Sequence, residues 1–483
     1  MNPLKKLFKQ TAIYGLATVL PRVLSVVLVR LYTTVFEQAS GYGEYVTIYS
    51  WIAIFNVMLA YGMETAFFRF YNKKEEKEKV ISTALISLAG TSLLFLAIAL
   101  LFNNQVAAIT NINIDFIKYV AYILVLDALV VIPFAMLRAY NKPKRYAVLK
   151  IINVVINLSL NIFFLLLLPK IATDNQIWTS IYRENFEISY IFISNLIASG
   201  CTLIFLLPAY IKTKYTFDIE LWKQMLRYAG PILIAGVAFT INEVVDKIFL
   251  ANMVSETESG IYAACYKLAL FMTLFGTAFR MGVEPFFFSH AKTENPQKTY
   301  AQVTNYFVIL GSLILLVVVV FVDVLARLLL GNETYFQALE IVPIVLLASF
   351  CLGIYHNLSV WYKITDRTKY GAYISSIGAI LTILINLVFI PKIGYMASAI
   401  ATLTAYGSMM LLSFYFGRKH YPIPYNLRKA AFYGGLSILF SMLSFYVFDR
   451  NLIVGSLLLF VFLGLIYKLE GEKLKTIFLK RAD

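Results

Sequence analysis

Fourteen apolar runs of roughly membrane-crossing length follow one another along the 483 residues, and they leave the chain few ways to fold. By approximate number they span 11–33, 45–68, 80–102, 116–137, 147–168, 188–208, 231–252, 261–283, 301–322, 341–361, 372–390, 395–416, 430–448 and 452–467, called helices 1 to 14 below. A bilayer-spanning helix needs about 20 mostly apolar residues. Inside hydrocarbon every backbone N–H and C=O must be satisfied within the protein, so helices are the economical solution. Only 14% of the residues are charged, against about 25% in a soluble domain, which excludes a soluble globule. The predicted class is therefore an all-α polytopic membrane protein with about 14 transmembrane helices. The first run lacks a small-residue cleavage site and is longer than a usual signal core, so it is expected to remain in the mature protein.

The net charge of +15 is distributed in a way that speaks against nucleic acid. Alternate connections, the N-terminal segment and the tail together hold 30 of the 42 Lys and Arg residues, and the opposite side holds six: Lys118, Lys170, Arg183, Arg327, Lys392 and Arg450. Such asymmetry follows the positive-inside rule and predicts both termini in the cytoplasm, with an even number of crossings. The side of the 2–3, 4–5, 6–7, 8–9, 10–11 and 12–13 connections is called the basic side below. Its charge also favours anionic membrane lipid.

The runs repeat. Shifted by 217, Arg30 falls on Lys247, Gly43 on Gly260, Tyr45 on Tyr262 and Tyr49 on Tyr266. Shifted by 220, Tyr61-Gly-Met-Glu-Thr-Ala-Phe-Phe68 falls on Met281-Gly-Val-Glu-Pro-Phe-Phe-Phe288. The three-residue slip is nearly one helical turn, so the facing of the helix is roughly kept. Arg145-Tyr146 and Lys369-Tyr370 open helices 5 and 11 at an offset of 224; both helices carry a late Asn (Asn161, Asn386) and end in Pro-Lys. Six helices per copy make the repeats parallel, a plan found in transporters. The expected division is an N-terminal lobe over 1–227, a C-terminal lobe over 228–420, and helices 13–14 with a tail over 421–483. The added pair is expected to widen the membrane cavity or dock a partner.

Charges inside apolar runs are costly and mark function or a paired site. The cations are Arg22, Arg30, Lys150, Lys247, Lys267 and Arg280; the acids are Glu64, Asp127, Glu243, Asp246 and Glu284. Glu243 and Lys247 lie four apart on one helix face and can pair there. Glu64 and Glu284 read as gate or helix-end partners for Arg69, Lys150 or Arg280. Asp127, in the middle of helix 4, reads as a coupling site for a proton or sodium, or as the counter-charge of an arginine. Cys201, Cys265 and Cys351 read as small buried hydrophobes, and His290, His356 and His420 are scattered. No metal site, cofactor or catalytic set is expected from this pattern. Most of the 33 tyrosines are expected at the membrane interfaces.

Three junctions resemble those of a known family. Asn386-Leu-Val-Phe-Ile-Pro391-Lys-Ile-Gly394-Tyr-Met-Ala397-Ser-Ala399 resembles the helix 11–12 junction of polysaccharide flippases. Arg30-Leu31 followed by Tyr42-Gly43-Glu44-Tyr45 resembles their helix 1–2 junction, and Gly260-Ile-Tyr262 with Tyr266-Lys267 the start of their helix 8. These belong to the Wzx-like branch of the multidrug/oligosaccharidyl-lipid/polysaccharide exporter superfamily. The resemblance implies two six-helix bundles around a V-shaped cavity lined by helices 1, 2, 7 and 8. It also implies transfer of an undecaprenyl-pyrophosphate-linked oligosaccharide from the inner to the outer leaflet of the bacterial cytoplasmic membrane. A polysaccharide polymerase and glycosyltransferases are implied partners, and the protein itself would be no enzyme.

On that reading Arg22, Arg30, Lys247, Lys267 and Arg280 face an anionic head group, since guanidinium and ammonium donors suit phosphate oxygens. The other reading of Arg30 is a latch to Asp246 or Glu243, and that of Lys267 is snorkelling to the interface. Three further functions stand as alternatives: a lipid II flippase, a cation-coupled drug exporter of the same fold, and a membrane glycosyltransferase or polymerase. A drug exporter would want an excess of acids, and a polymerase a larger outer loop than 169–188.

Overall fold

The structure is a computed structural model that describes residues 21, 24, 26–73, 76–173, 176–290 and 295–479. Every regular element among the described residues is helical. Twelve helices are long and apolar enough to cross a membrane: helix 2 Ala39–Lys73, helix 3 Lys77–Leu101, helix 4 Ile114–Ala139, helix 5 Pro143–Ile171, helix 6 Glu187–Ile211, helix 8 from Glu256, helix 9 Pro296–Val320, helix 10 Glu333–Ile364, helix 11 Lys369–Ile393, helix 12 Tyr395–His420, helix 13 Leu427–Val447 and helix 14 Leu452–Gly471. Helix 7, Ile219–Met253, is longer still at 35 residues but carries Glu243, Asp246 and Lys247 in its apolar part. Helix 1 contributes the short apolar piece Val26–Val35.

Local sequence sets the boundaries. Asn113, Asp218 and Asn426 cap helices 4, 7 and 13, accepting from the backbone N–H of Asp115, Leu221 and Lys429 at 3.0, 2.9 and 3.0 Å. Pro143 and Pro296 stand in the first turn of helices 5 and 9, where a missing N–H costs nothing. Gly394 joins helices 11 and 12 at φ 55° and ψ −139°, a backbone state open essentially to glycine alone.

Packing divides the chain at Gly260. In the first unit, helix 4 lies against helices 2, 3 and 6, helix 6 against helix 5, and helix 7 along helix 2. Its core gathers Met63, Phe67, Leu85, Ile132 and Met225 from helices 2, 3, 4 and 7. In the second unit helix 12 packs between helices 10 and 11, and helix 9 against helix 13. Helices 13 and 14 are fastened to this unit by polar groups. Ser437 Oγ donates to Ser312 O at 2.6 Å, Arg450 pairs with Asp323 at 2.9 Å, and buried Glu470 takes both Lys429 and Tyr433.

Departures from straight α-helix fall at informative places. Helix 2 breaks at Tyr61 and Gly62, both at positive φ, and the Tyr61 and Trp222 side chains converge on Ser87 Oγ at 2.7 and 2.6 Å. Helix 8 runs Glu256–Tyr266, tightens to a 3₁₀ turn over Lys267–Ala269, and resumes over Leu270–His290. That turn falls between the parts of the repeat related by 217 and by 220. The slip is thus accommodated in an interrupted helix rather than a continuous α-helical one.

The two late asparagines are both buried and both tie helices together. Asn161 accepts from Tyr32 Oη of helix 1 at 3.0 Å, and Asn386 accepts from Ser398 Oγ of helix 12 at 2.7 Å.

The closest helix approach pairs two residues that the repeat relates. A Cβ on Gly43 would run into the backbone of Glu256 and Gly260; a Cβ on Gly260 would run into the backbone of Ala39 and Gly43. Neither obstacle is a movable side chain. Overpacking a fitted site costs about 1–3 kcal/mol even where side chains can yield. We expect Gly43→Val and Gly260→Val to lower the apparent melting temperature strongly, whereas Gly90→Val, which has open space around it, leaves it nearly unchanged. Fluorescence-detected size-exclusion chromatography of the heated, detergent-solubilised protein is the measurement.

Candidate functional site

Three polar clusters among the described residues bear on function, two in the first unit and one in the second. The first lies toward the end of helix 7. Asp246 and Lys247 are both buried, and their side chains pair at 2.8 Å. Lys247 Nζ also donates to the backbone O of Glu243 at 2.7 Å, so the i,i+4 relation with Glu243 is realised through a carbonyl. Ser259 Oγ donates to Lys247 O at 3.0 Å and joins this segment to the start of helix 8. Arg30 is exposed at the end of helix 1, beside a run of stacked rings from Tyr32, Tyr42, Tyr45 and Tyr49. These tyrosines are largely buried, which makes them packing and hydrogen-bonding groups more than an interface belt. Arg22 lies outside the described residues.

The second cluster surrounds Asp127. Its carboxylate accepts from Ser199 Oγ of helix 6 at 2.8 Å, and Asn56 of helix 2 reaches it as well. The cation acting on it is Lys150 of helix 5, rather than an arginine as one reading of the sequence had it. Lys150 itself sits 4.4 Å from the centre of the Phe134 ring. Asn195 donates to Tyr49 Oη at 2.8 Å and Asn153 to Thr202 Oγ1 at 3.0 Å, extending the polar track through the interior of the unit.

The direct ion pairs of the acids of helices 2 and 8 are made with helices 4 and 10, while Lys150 acts on Glu64 electrostatically. Glu64 pairs with Arg138 at 2.6 Å, while Arg69 lies over the Tyr228 ring at 4.1 Å. Glu284 pairs with Lys363 at 2.7 Å and shares a cleft with the expected Arg280. Both partners sit at the basic-side end of the fourth helix of their repeat, one helix pair beyond their acids. Sequence reading grouped Arg138 and Lys363 with the loop cations, because hydropathy ends each helix before its last polar turn. The signal that finds them is the repeat: Lys363 follows Arg138 by 225 residues, one more than the offset between Arg145 and Lys369.

The third cluster builds on the second of these pairs. Arg280, Glu284, His356, Asn357 and Lys363, with Val283, Phe287 and Val360, line a narrow cleft of about 20 Å³ in the second unit. Lys267, thirteen residues before Arg280, is exposed at the 3₁₀ turn of the same helix.

A family model described as "polysaccharide biosynthesis protein" matches residues 7–289, more than half of the chain. The chain belongs to that family. A second model, MatE, matches residues 231–388, which places the repeat itself inside the multidrug/oligosaccharidyl-lipid/polysaccharide exporter superfamily. The fold agrees. The lipid II flippase MurJ in an inward closed conformation superposes with a TM-score of 0.75 at 16% identity, over 95% of this chain and 99% of that one. An inward-facing multidrug resistance MATE transporter gives 0.62 at 12% identity, over 87% and 95%. The Vibrio cholerae MATE transporter VcmN in its bent form gives 0.56 at 15%, over 89% and 98%. No curated protein sequence matches. The polysaccharide biosynthesis family member is thus a multi-pass membrane transporter of the flippase superfamily.

The clusters predict different costs. The Glu64–Arg138 pair is half exposed, and such pairs contribute about 0–1 kcal/mol. Asn161 is fully buried, and losing it leaves the buried Tyr32 hydroxyl without its acceptor, which costs about 1–3 kcal/mol. We therefore expect Asn161→Leu to lower the melting temperature by several degrees and Arg138→Gln to leave it within about one, as read by differential scanning fluorimetry.

Proposed function

We propose that the protein moves an undecaprenyl-pyrophosphate-linked oligosaccharide from the inner to the outer leaflet of a bacterial cytoplasmic membrane, by alternating access, to supply cell-surface polysaccharide. The observation that carries this reading is the family match over residues 7–289, taken with an intramembrane charge set rich in cations. The substrate head group is a doubly ionised pyrophosphate. A protein that carries it through lipid must offer compensating positive charge, at a cost accepted only where the charge is used. Arg22, Arg30, Lys247, Lys267 and Arg280 are assigned that role, and Asp246 holds Lys247 between substrates.

Asp127 is assigned to coupling. It is a carboxylate deep in a helix bundle, with hydroxyl and amide donors and one lysine around it, a setting in which a proton or a sodium ion can be exchanged. The basic side faces the cytoplasm with both termini, and the protein carries out no bond-making chemistry. A polymerase and glycosyltransferases act on the same lipid before and after it. Glu64 with Arg138, and Arg69 with Tyr228, hold helix ends on the basic side and act as gate elements.

Lipid II transport is the second reading, favoured by the superposition on MurJ at a TM-score of 0.75. The two separate by complementation. Expression is expected to restore surface polysaccharide in a strain that lacks its own polysaccharide flippase and carries the matching glycan genes. It is expected to leave a strain depleted of its lipid II flippase unable to grow; rescue of the second strain alone would overturn the proposal. In the first strain, Arg30→Ala and Lys247→Ala are expected to cut surface polysaccharide at least tenfold while membrane-inserted protein stays at the level of the parent, by labelling and immunoblot respectively. Normal export from both variants would remove these residues from the binding set.

A further inference from the structure

The basic-side end of the second unit holds a larger space, away from the charges assigned to transport. Helix 9 begins, helix 12 ends and helix 13 begins around a groove of about 550 Å³. Small-molecule sites run from about 300 to 1,000 Å³. Lys298 lines it from the first turn of helix 9 and Arg418 from the last turn of helix 12, both exposed. Among the described residues no acid lines the groove, and neither cation has a carboxylate within ion-pair distance. Other cations of this end are engaged: Lys363 by Glu284, Lys429 by buried Glu470 and Arg367 by His420. A cation that only sets the topology needs to stand in water; these two converge on one cavity from separate helices. Beside them the lining is apolar, with Phe414 and Leu427. Gly407, Leu411, Phe414 and Arg418 follow one another at helical spacing and share a face of helix 12. Leu411 is exposed, and a Cβ on Gly407 would meet nothing. Helix 13 packs on helix 9, whereas helix 12 packs on helices 10 and 11. An uncovered apolar strip thus leads from the groove to the middle of helix 12. Pro422 and Pro424 stiffen the connection that forms the rim, so the groove is preformed.

We propose that this groove holds the head group of an anionic phospholipid of the surrounding bilayer, with phosphatidylglycerol as the simplest occupant. Lys298 and Arg418 take its phosphate in charge-assisted contacts, the Gln297 amide meets the glycerol hydroxyls, and an acyl chain lies along Leu411 and Gly407. Position favours a lipid over a soluble anion: the cations stand at helix ends, at head-group depth, and the strip below them suits a chain. Basic pockets between transmembrane helices on the cytoplasmic side are sites for anionic head groups. A zwitterionic lipid is disfavoured, since its ammonium would approach two cations with no acid to receive it. The bound lipid is a resident and not cargo, so the site does not depend on which substrate the protein carries. It bridges the end of helix 12 and the start of helix 13, which pack on different neighbours. The added helix pair thereby gains a second fastening besides Glu470 and Arg450.

Native mass spectrometry of the full-length protein, delipidated in detergent and then given phosphatidylglycerol or phosphatidylethanolamine, tests this, with differential scanning fluorimetry as the second reading. The parent is expected to retain phosphatidylglycerol at least fivefold more than phosphatidylethanolamine at equal concentration, and to melt several degrees higher with it. The double variant Lys298→Gln/Arg418→Gln is expected to lose both the preference and the rise. Lys298→Arg/Arg418→Lys is expected to keep both, which separates loss of charge from loss of fold. Lys419→Gln/Arg428→Gln removes the same charge from exposed neighbours outside the groove and is expected to change neither. If that variant loses as much phosphatidylglycerol as the groove variant, the attraction belongs to the whole basic surface and the proposal fails. It fails as well if the parent retains the two lipids alike, or if the groove variant binds phosphatidylglycerol as the parent does. Glycerol 3-phosphate, a head group without chains, is expected to leave the melting temperature unchanged; a rise equal to that given by phosphatidylglycerol would overturn the lipid as occupant.

Discussion

Two glycines meet at backbone distance in the first unit. Gly43 and Gly260 let helix 2 and the start of helix 8 cross with no side chain between them. Lipid offers little hydrophobic drive for helix association, so close packing through small residues carries much of the work. That crossing sets the course of helix 2, and helix 2 in turn brings Glu64 to Arg138 and Asn56 to Asp127. The Asp127 cluster depends on it because it is assembled from side chains on different helices.

Much of this was legible in the sequence, and the reason is physical. A bilayer forces long apolar runs, so helix number and approximate bounds follow from hydropathy alone. The internal repeat made Gly43 and Gly260, Glu64 and Glu284, and Asn161 and Asn386 visible as pairs before any coordinates. What hydropathy hides is the last turn of a helix, where polar residues re-enter. Arg138 and Lys363 therefore read as connection residues, and their ion pairs with the acids of helices 2 and 8 are not visible in the sequence. Partner choice is a matter of which helices adjoin, and a single chain without its packing does not state it. Asp127 shows the same limit: its position mid-helix announced a functional or paired carboxylate, but Ser199 and Lys150 stand 72 and 23 residues away.

The clusters also differ in what they ask of the membrane. Asp246 and Lys247 neutralise one another as neighbours in sequence, so that site is carried into lipid as a unit. The helix 8 cleft keeps an extra guanidinium, and its net charge is positive. The fastening of helices 13 and 14 through Glu470, Lys429 and Arg450 adds charge to the second unit only where acid and base already meet. These two helices lie outside the repeat; Ser437 ties helix 13 to helix 9, and Arg450 ties the connection between them to Asp323 just beyond it.

The 3₁₀ turn over Lys267–Ala269 has a consequence for how the duplicated halves diverged. Three residues wound as α-helix advance about 300° and would swing everything downstream by about 60°. Wound as 3₁₀, at about three residues per turn, they complete a full revolution. An insertion of three residues wound this way is then almost silent to the facing of the residues beyond it, and the downstream half of helix 8 is merely carried further along its axis. A change of one or two residues has no such refuge, since each turns Arg280 and Glu284 by about 100° away from helix 10. Length variation in this helix is thereby quantised by the geometry of its backbone, and the turn that admits it also leaves Lys267 facing outward on a tightened winding of the chain.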